Sequence, residues 1–138
     1  MDVNRQRARN AIRNAERELG NALRCMDEGD HTGALKYFQE SSEYAAKAVL
    51  IAYALDYPRI HGVGRFILEN RERFPEWFKL ELDEMAEVVD ALARNRSMYR
   101  YSYEYLPEEH RDTAEGIRPK VEKLVMNGAR LLGQLFAC

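Results

Sequence analysis

Apolar residues recur along almost the whole chain at intervals of three and four, the period of an amphipathic α-helix. Over residues 3–28 the positions Ala8, Ala11, Ile12, Ala15, Leu19, Ala22, Leu23 and Met26 keep one face apolar. Arg5, Arg9, Arg13 and Arg17 repeat every fourth position on another face, and Gly29-Asp30 stops the run. Glu16, Glu18 and Glu28 dilute that arginine row, which reads as a solvated face. A second run, residues 32–55, starts at Thr32, a good N-cap. It carries Ala34, Leu35, Phe38, Ala45, Ala46, Ala48, Val49, Ile51 and Ala52. Its last turns are apolar nearly all round, which marks the central, most buried helix. Asp56-Tyr57-Pro58 ends it, because the residue before proline is pushed out of the helical region.

A short helix is predicted over 61–72, broken at Phe74-Pro75. Pro75 suits the first turn of the next helix, over 76–98. There Trp77, Phe78, Leu80, Leu82, Met85, Val88, Val89 and Leu92 form the apolar stripe. The last helix is predicted over 113–136, with Val121, Leu124, Val125, Ala129, Leu131, Leu132 and Leu135 facing a core. Pro119 inside it marks either the helix start or a kink. The expected architecture is all-α: an up-and-down bundle of four main helices plus one short one, a single domain over residues 1–138.

The composition narrows what such a bundle does. With 138 residues and a net charge of −2 it is a globular chain, not a bulk polyanion binder. Nucleic-acid contact would have to come from a local patch. No apolar run approaches the roughly 18 residues of a membrane helix, and residues 1–7 lack the apolar region of a signal peptide. Cys25 and Cys138 read as free thiols in a reducing cytoplasm. No metal or cofactor is expected. The one Glu-x-x-His spacing, Glu28 to His31, falls across the Gly29-Asp30 break, where a di-metal bundle needs two such motifs on helices. Gly62-Val63-Gly64 has no strand before it, and His31, His61 and His110 are far apart in sequence.

Residues 93–105 carry the candidate chemistry. Three arginines and four tyrosines fall in thirteen residues, with Glu104 the single acid. The stripe Met85, Val88, Val89, Leu92 continues at the same spacing to Arg96, Tyr99 and Tyr103, so an apolar face turns into guanidinium and phenol. Arginine meets phosphate with a fixed fork of donors, and tyrosine stacks on a base or donates from its hydroxyl. Arg94, Asn95, Tyr99 and Arg100 are the further candidates for holding RNA or a nucleotide. The same residues also suit a solvated helix end whose rings pack on neighbours. Alternation of Tyr99, Tyr101, Tyr103 and Tyr105 with other residues predicts an extended connection.

The central helix carries the run from Phe38 through Gln39-Glu40-Ser41-Ser42-Glu43-Tyr44 to Lys47-Ala48, and His61-Gly62-Val63-Gly64-Arg65-Phe66-Ile67-Leu68 follows it. In these two stretches, and in helix order over most of its length, the chain resembles the HEPN domain family. The family's functional signature is an Arg, four residues, then a His, often with x-Tyr behind it. Arg96 with Tyr101 and Tyr103 has that position and spacing, but Tyr101 stands where the His belongs. A second register, Arg94 with Tyr99 and Tyr101, fits equally by spacing; Arg96 is preferred because it continues the Leu92 stripe.

The resemblance implies a metal-independent endoribonuclease that dimerises so that two motifs line one RNA cleft. It implies a toxin-type component paired with a nucleotidyltransferase antitoxin, with RNA rather than DNA as target. Arg96 and Tyr101 would be the catalytic pair and Tyr103 the acceptor of nucleotide modification. Because a phenol is a poor base at neutral pH, the alternative is a non-catalytic adapter that binds nucleotide, RNA or the nucleotidyltransferase. A third reading is a plain helical dimerisation module.

Overall fold

The computed structural model describes residues 3–59 and 62–137. His61, at the start of the expected short helix, and Cys138 lie outside them. The elements run α1 (Val3–Asp27), α2 (His31–Ala52), α3 (Gly64–Glu69), α4 (Glu76–Lys79), α5 (Leu82–Arg94), α6 (Ser97–Arg100) and α7 (Pro107–Leu135). Single 3₁₀ turns follow α3 at Arg71–Arg73 and α6 at Ser102–Glu104. The fold is all-α, and among the described residues there is no strand. No described helix is long and apolar enough to cross a membrane.

The central helix is α2, packed against α1, α3, α5, α6 and α7. Small side chains make that possible. Ala8, Ala15 and Ala22 of α1 and Ala34, Ala45, Ala46 and Ala48 of α2 are all fully buried, so backbones approach closely. Ser41 uses the proximity to donate to the Ala15 carbonyl at 2.7 Å. Gly128 of α7 sits where a Cβ would meet Ile12 and Val49, at the junction of α1, α2 and α7. At the far end Phe136 lies under the guanidinium groups of Arg5 and Arg9.

Several boundaries differ from those predicted. Asp30, not Thr32, caps α2: its carboxylate accepts from Gly33 N at 2.9 Å. Gly29, at φ 75°, takes the left-handed position after α1, and Asp30 N returns to the Cys25 carbonyl at 2.8 Å. This tight turn leaves Thr32 inside the helix. The α2 helix ends three residues earlier than expected. Ala54 adopts φ 55° and Leu55 N closes on the Leu50 carbonyl at 2.9 Å, so this turn, rather than Pro58, stops the helix.

The expected helix over 76–98 is three pieces. It breaks at Leu80-Glu81, where Leu80 is 84% exposed and has no core to join. It breaks again at Asn95-Arg96. Phe78, Leu82, Met85, Val89 and Leu92 are nonetheless buried in helical register across the first break. In contrast α7 begins six residues before the predicted start and runs through Pro119. Pro107 occupies its first position, and the Glu109 carboxylate accepts from Leu106 N at 2.8 Å. The tyrosine segment is a helical turn followed by a 3₁₀ turn, not an extended strand-like connection. Cys25 is a half-buried free thiol whose burial pushes its pKa up.

Candidate functional site

The C-terminal end of α5 builds the site. Asn95 ends the helix with φ −90° and ψ 14°, and its N–H returns to the Ala91 carbonyl. The chain then tightens: Met98 N bonds Asn95 O at 3.0 Å, and α6 restarts as one turn. Met98 is buried and pins the turn to the core. This break aims the two arginine candidates at one place. Arg94 and Arg96 line the same open cleft of about 290 Å³, together with Gly62, Asp90 and Ala93. Arg94 is exposed; Arg96 is half-buried, and its Nε donates to the Ala93 carbonyl at 3.2 Å. Two guanidinium groups beside the carbonyl end of a helix are favourably placed against its dipole.

The opposite wall explains Gly62 and Gly64. Asp90 of α5 accepts from Gly64 N at 3.0 Å and so fastens the start of α3. Gly62 is at φ 75°, and a Cβ there would lie 3.0 Å from Asp90 Oδ1. A Cβ on Gly64 would overlap Ala86 O and Asp90 Oδ2. The glycine pair is therefore a close-packing device that lets backbone form a cleft wall.

The tyrosines divide. Tyr99 is half-buried and donates from its hydroxyl to Gln39 Oε1 of α2 at 3.1 Å. Burial pushes its phenol above the ordinary value, and the charges of Arg96, Arg100, Glu40 and Glu43 all reach it. Tyr101 and Tyr103 point outward, 49% and 80% exposed, with rings edge to face at 6.5 Å. Asn95 and Arg100 are exposed. Arg94 and Arg96 are thus brought together, whereas Tyr101 does not line their cleft.

Several polar residues near this segment were not readable as partners in the sequence. Ser97 Oγ and the Tyr105 hydroxyl lie 3.0 Å apart. His110 is 5% exposed, with Nδ1 hydrogen-bonded to Thr32 Oγ1 at 2.9 Å and Nε2 without a partner. On α2, Glu43 forms an ion pair with Lys47 at 3.8 Å. Glu40 shares a hydrogen bond with Glu18 of α1. That bond, followed by burial and the Glu18 charge, raises its pKa to about 7. Glu18 is held down chiefly by the same bond, and its carboxylate accepts from Arg17 and Asn21. No group of three or more His, Cys, Asp or Glu among the described residues is placed to hold a metal ion.

A family model, HEPN domain, matches residues 8–130. No curated protein and no solved structure matches the chain.

Proposed function

The chain belongs to the HEPN domain family, and from that membership we propose that it acts on RNA, as the effector of a HEPN–nucleotidyltransferase pair. The observation that carries this reading is the convergence of Arg94 and Arg96 on one open cleft at the end of α5. Paired guanidinium groups recognise a phosphodiester bidentately and stabilise charge that develops on it during attack by the neighbouring 2′-hydroxyl. This needs no metal. The proton of that hydroxyl does need an acceptor.

Two copies acting together would supply a longer basic groove. The exposed side chains of Tyr101 and Leu106 offer a surface for such a homodimer. Tyr103 is also the phenol best presented to a nucleotidyltransferase, which would silence the protein by modifying it.

The second reading, a non-catalytic RNA-binding adapter, is favoured by Tyr101 in place of the motif His. A phenol titrates near pH 10, so at pH 7 it donates hydrogen bonds but accepts protons poorly. One experiment separates the two. Labelled single-stranded RNA is incubated with the protein in the presence of a chelator, and both retention and cleavage are followed. Binding with cleavage supports the nuclease; binding without cleavage supports the adapter. Absence of binding defeats both. Sedimentation in the same buffer tests the dimer.

A further inference from the structure

We propose that a second cleft, between the α1–α2 turn and the chain entering α7, is a subsite for an unpaired nucleobase of the RNA. The proposal rests on the RNA reading above and deepens it. The cleft measures about 320 Å³, with Asp30 and Thr32 on one side and Ser102, Tyr103, Tyr105 and His110 on the other.

Its walls are aromatic. Tyr103 is 80% exposed, so a planar ring has access to it. Tyr105 is fixed by its hydroxyl contact to Ser97 and lies 5.9 Å from the His110 ring. Phenols are the common stacking platform for splayed RNA bases, and stacking tolerates any base. The polar groups at its mouth are Asp30 and Ser102. His110 lies behind them, 5% exposed, with one ring nitrogen held by Thr32 and the other buried without a partner and closed to solvent. The imidazole therefore reports a base seated in the cleft through its contact with the Tyr105 ring rather than by bonding the base.

The charge of the cleft selects base over phosphate. No lysine or arginine lines it among the described residues, whereas Asp30 does. The N-termini of α2 and α7 both open nearby, and each carries a carboxylate that would repel an anion: Asp30 on Gly33 N, and Glu109 on Leu106 N. An anion would find these acids in its place; an uncharged ring bearing amino hydrogens would find acceptors. Segment 97–105 connects the residues of the two clefts along the chain, and an RNA strand lying along it would place a phosphate on Arg94 and Arg96 and a base beside Tyr103.

The test uses ribonucleosides, which lack phosphate, titrated into the full chain while the histidine side-chain nitrogens are followed by NMR. At least one of adenosine, guanosine, cytidine and uridine is expected to shift the His110 signals. Tyr103→Ala, an exposed substitution that leaves the core intact, should weaken that binding about tenfold. Arg94→Ala and Arg96→Ala should leave nucleoside binding unchanged while weakening RNA binding. If no nucleoside moves His110 by about 10 mM, a concentration that reveals even very weak sites, the cleft holds no base and the proposal falls. It falls also if inorganic phosphate alone gives the shifts, because the cleft is then an anion site. Nucleoside shifts at His110 without any RNA binding would defeat the RNA reading and leave the base subsite standing.

Discussion

Tyr99 donates its hydroxyl to Gln39 Oε1 at 3.1 Å, tying the arginine- and tyrosine-rich segment to the middle of the central helix. Gln39 is 4% exposed, and its Nε2 has no partner. Tyr99→Phe keeps the ring and deletes the bond, leaving the whole Gln39 amide buried and unpaired. Such a loss costs about 1–3 kcal/mol, more than an exposed hydrogen bond does. Urea denaturation with an unchanged m-value should show that loss. A change under about 0.5 kcal/mol, the range of ordinary surface substitutions, would mean that the amide finds another partner.

Much of the fold was legible because the core is periodic. The α2 run, with its alanines and late apolar turns, reads as a central helix and is one. The breaks in the expected helix over 76–98 were hidden by the same periodicity. Phe78 and Leu82 stay four residues apart across Leu80-Glu81, so the buried stripe never loses register. The first turns of α7 were missed for the opposite reason: Glu108, Glu109, Arg111 and Asp112 give no apolar signal. Pro107 with Glu109 was the available start signal. At the site, spacing allowed both Arg94 and Arg96, and both line the cleft. The partners of Tyr99 and His110 are 60 and 78 residues away, distances over which local pattern carries no information.

Glu40 makes stability fall with rising pH. Its folded pKa is raised to about 7 from an ordinary 4.5, mainly by the hydrogen bond it shares with Glu18. The folded protein therefore holds a proton that the unfolded chain releases. That contribution is complete below pH 4.5 and is lost as pH rises through 7. Glu18, held below its ordinary value, contributes in the opposite sense, losing stability as pH falls. Glu40→Gln keeps a donor toward Glu18 at every pH. The variant should melt higher than the wild type at pH 8 and show a flatter profile from pH 5 to 8. Superimposable melting profiles would exclude this role for the pair.

Ala54 turns the chain at φ 55°, a conformation that costs an L-residue roughly 1–2 kcal/mol. Its side chain is exposed, so removing the methyl group sacrifices little packing. Glycine adopts the angle freely but adds flexibility to the unfolded chain, offsetting about 0.5–1 kcal/mol. The balance for Ala54→Gly is a gain of about 0.5–1 kcal/mol. Chemical denaturation measures it, and a loss would mean that the methyl group packs where the turn relaxes in solution.

Arg94, Arg96 and Tyr101 decide what the site does. Arg94→Ala and Arg96→Ala should each weaken RNA binding by about 1–3 kcal/mol, the range for a charge-assisted contact. Of the two, Arg96→Ala also frees the Ala93 carbonyl from its 3.2 Å bond. If Arg94→Ala abolishes binding and Arg96→Ala leaves it intact, the motif begins at Arg94 and Tyr99 occupies the His position. Tyr101→His adds the imidazole that the family motif carries. Tyr101 is 49% exposed, so the substitution should leave stability within about 0.5 kcal/mol. In a nuclease that lacks only its base, the variant should cleave RNA faster than the wild type near neutral pH, with a rate that follows a group titrating near 6.5. In an adapter, cleavage stays absent while RNA binding persists. Because Tyr101 lies outside the arginine cleft of a single chain, a gain of cleavage further requires the exposed imidazole to reach the phosphate held by a second copy. Mixing wild-type protein with a chain carrying both Tyr101→His and Arg96→Ala tests that directly: neither should gain cleavage alone, and cleavage appearing in the mixture would place the two groups on different protomers, whereas its absence would place them on one.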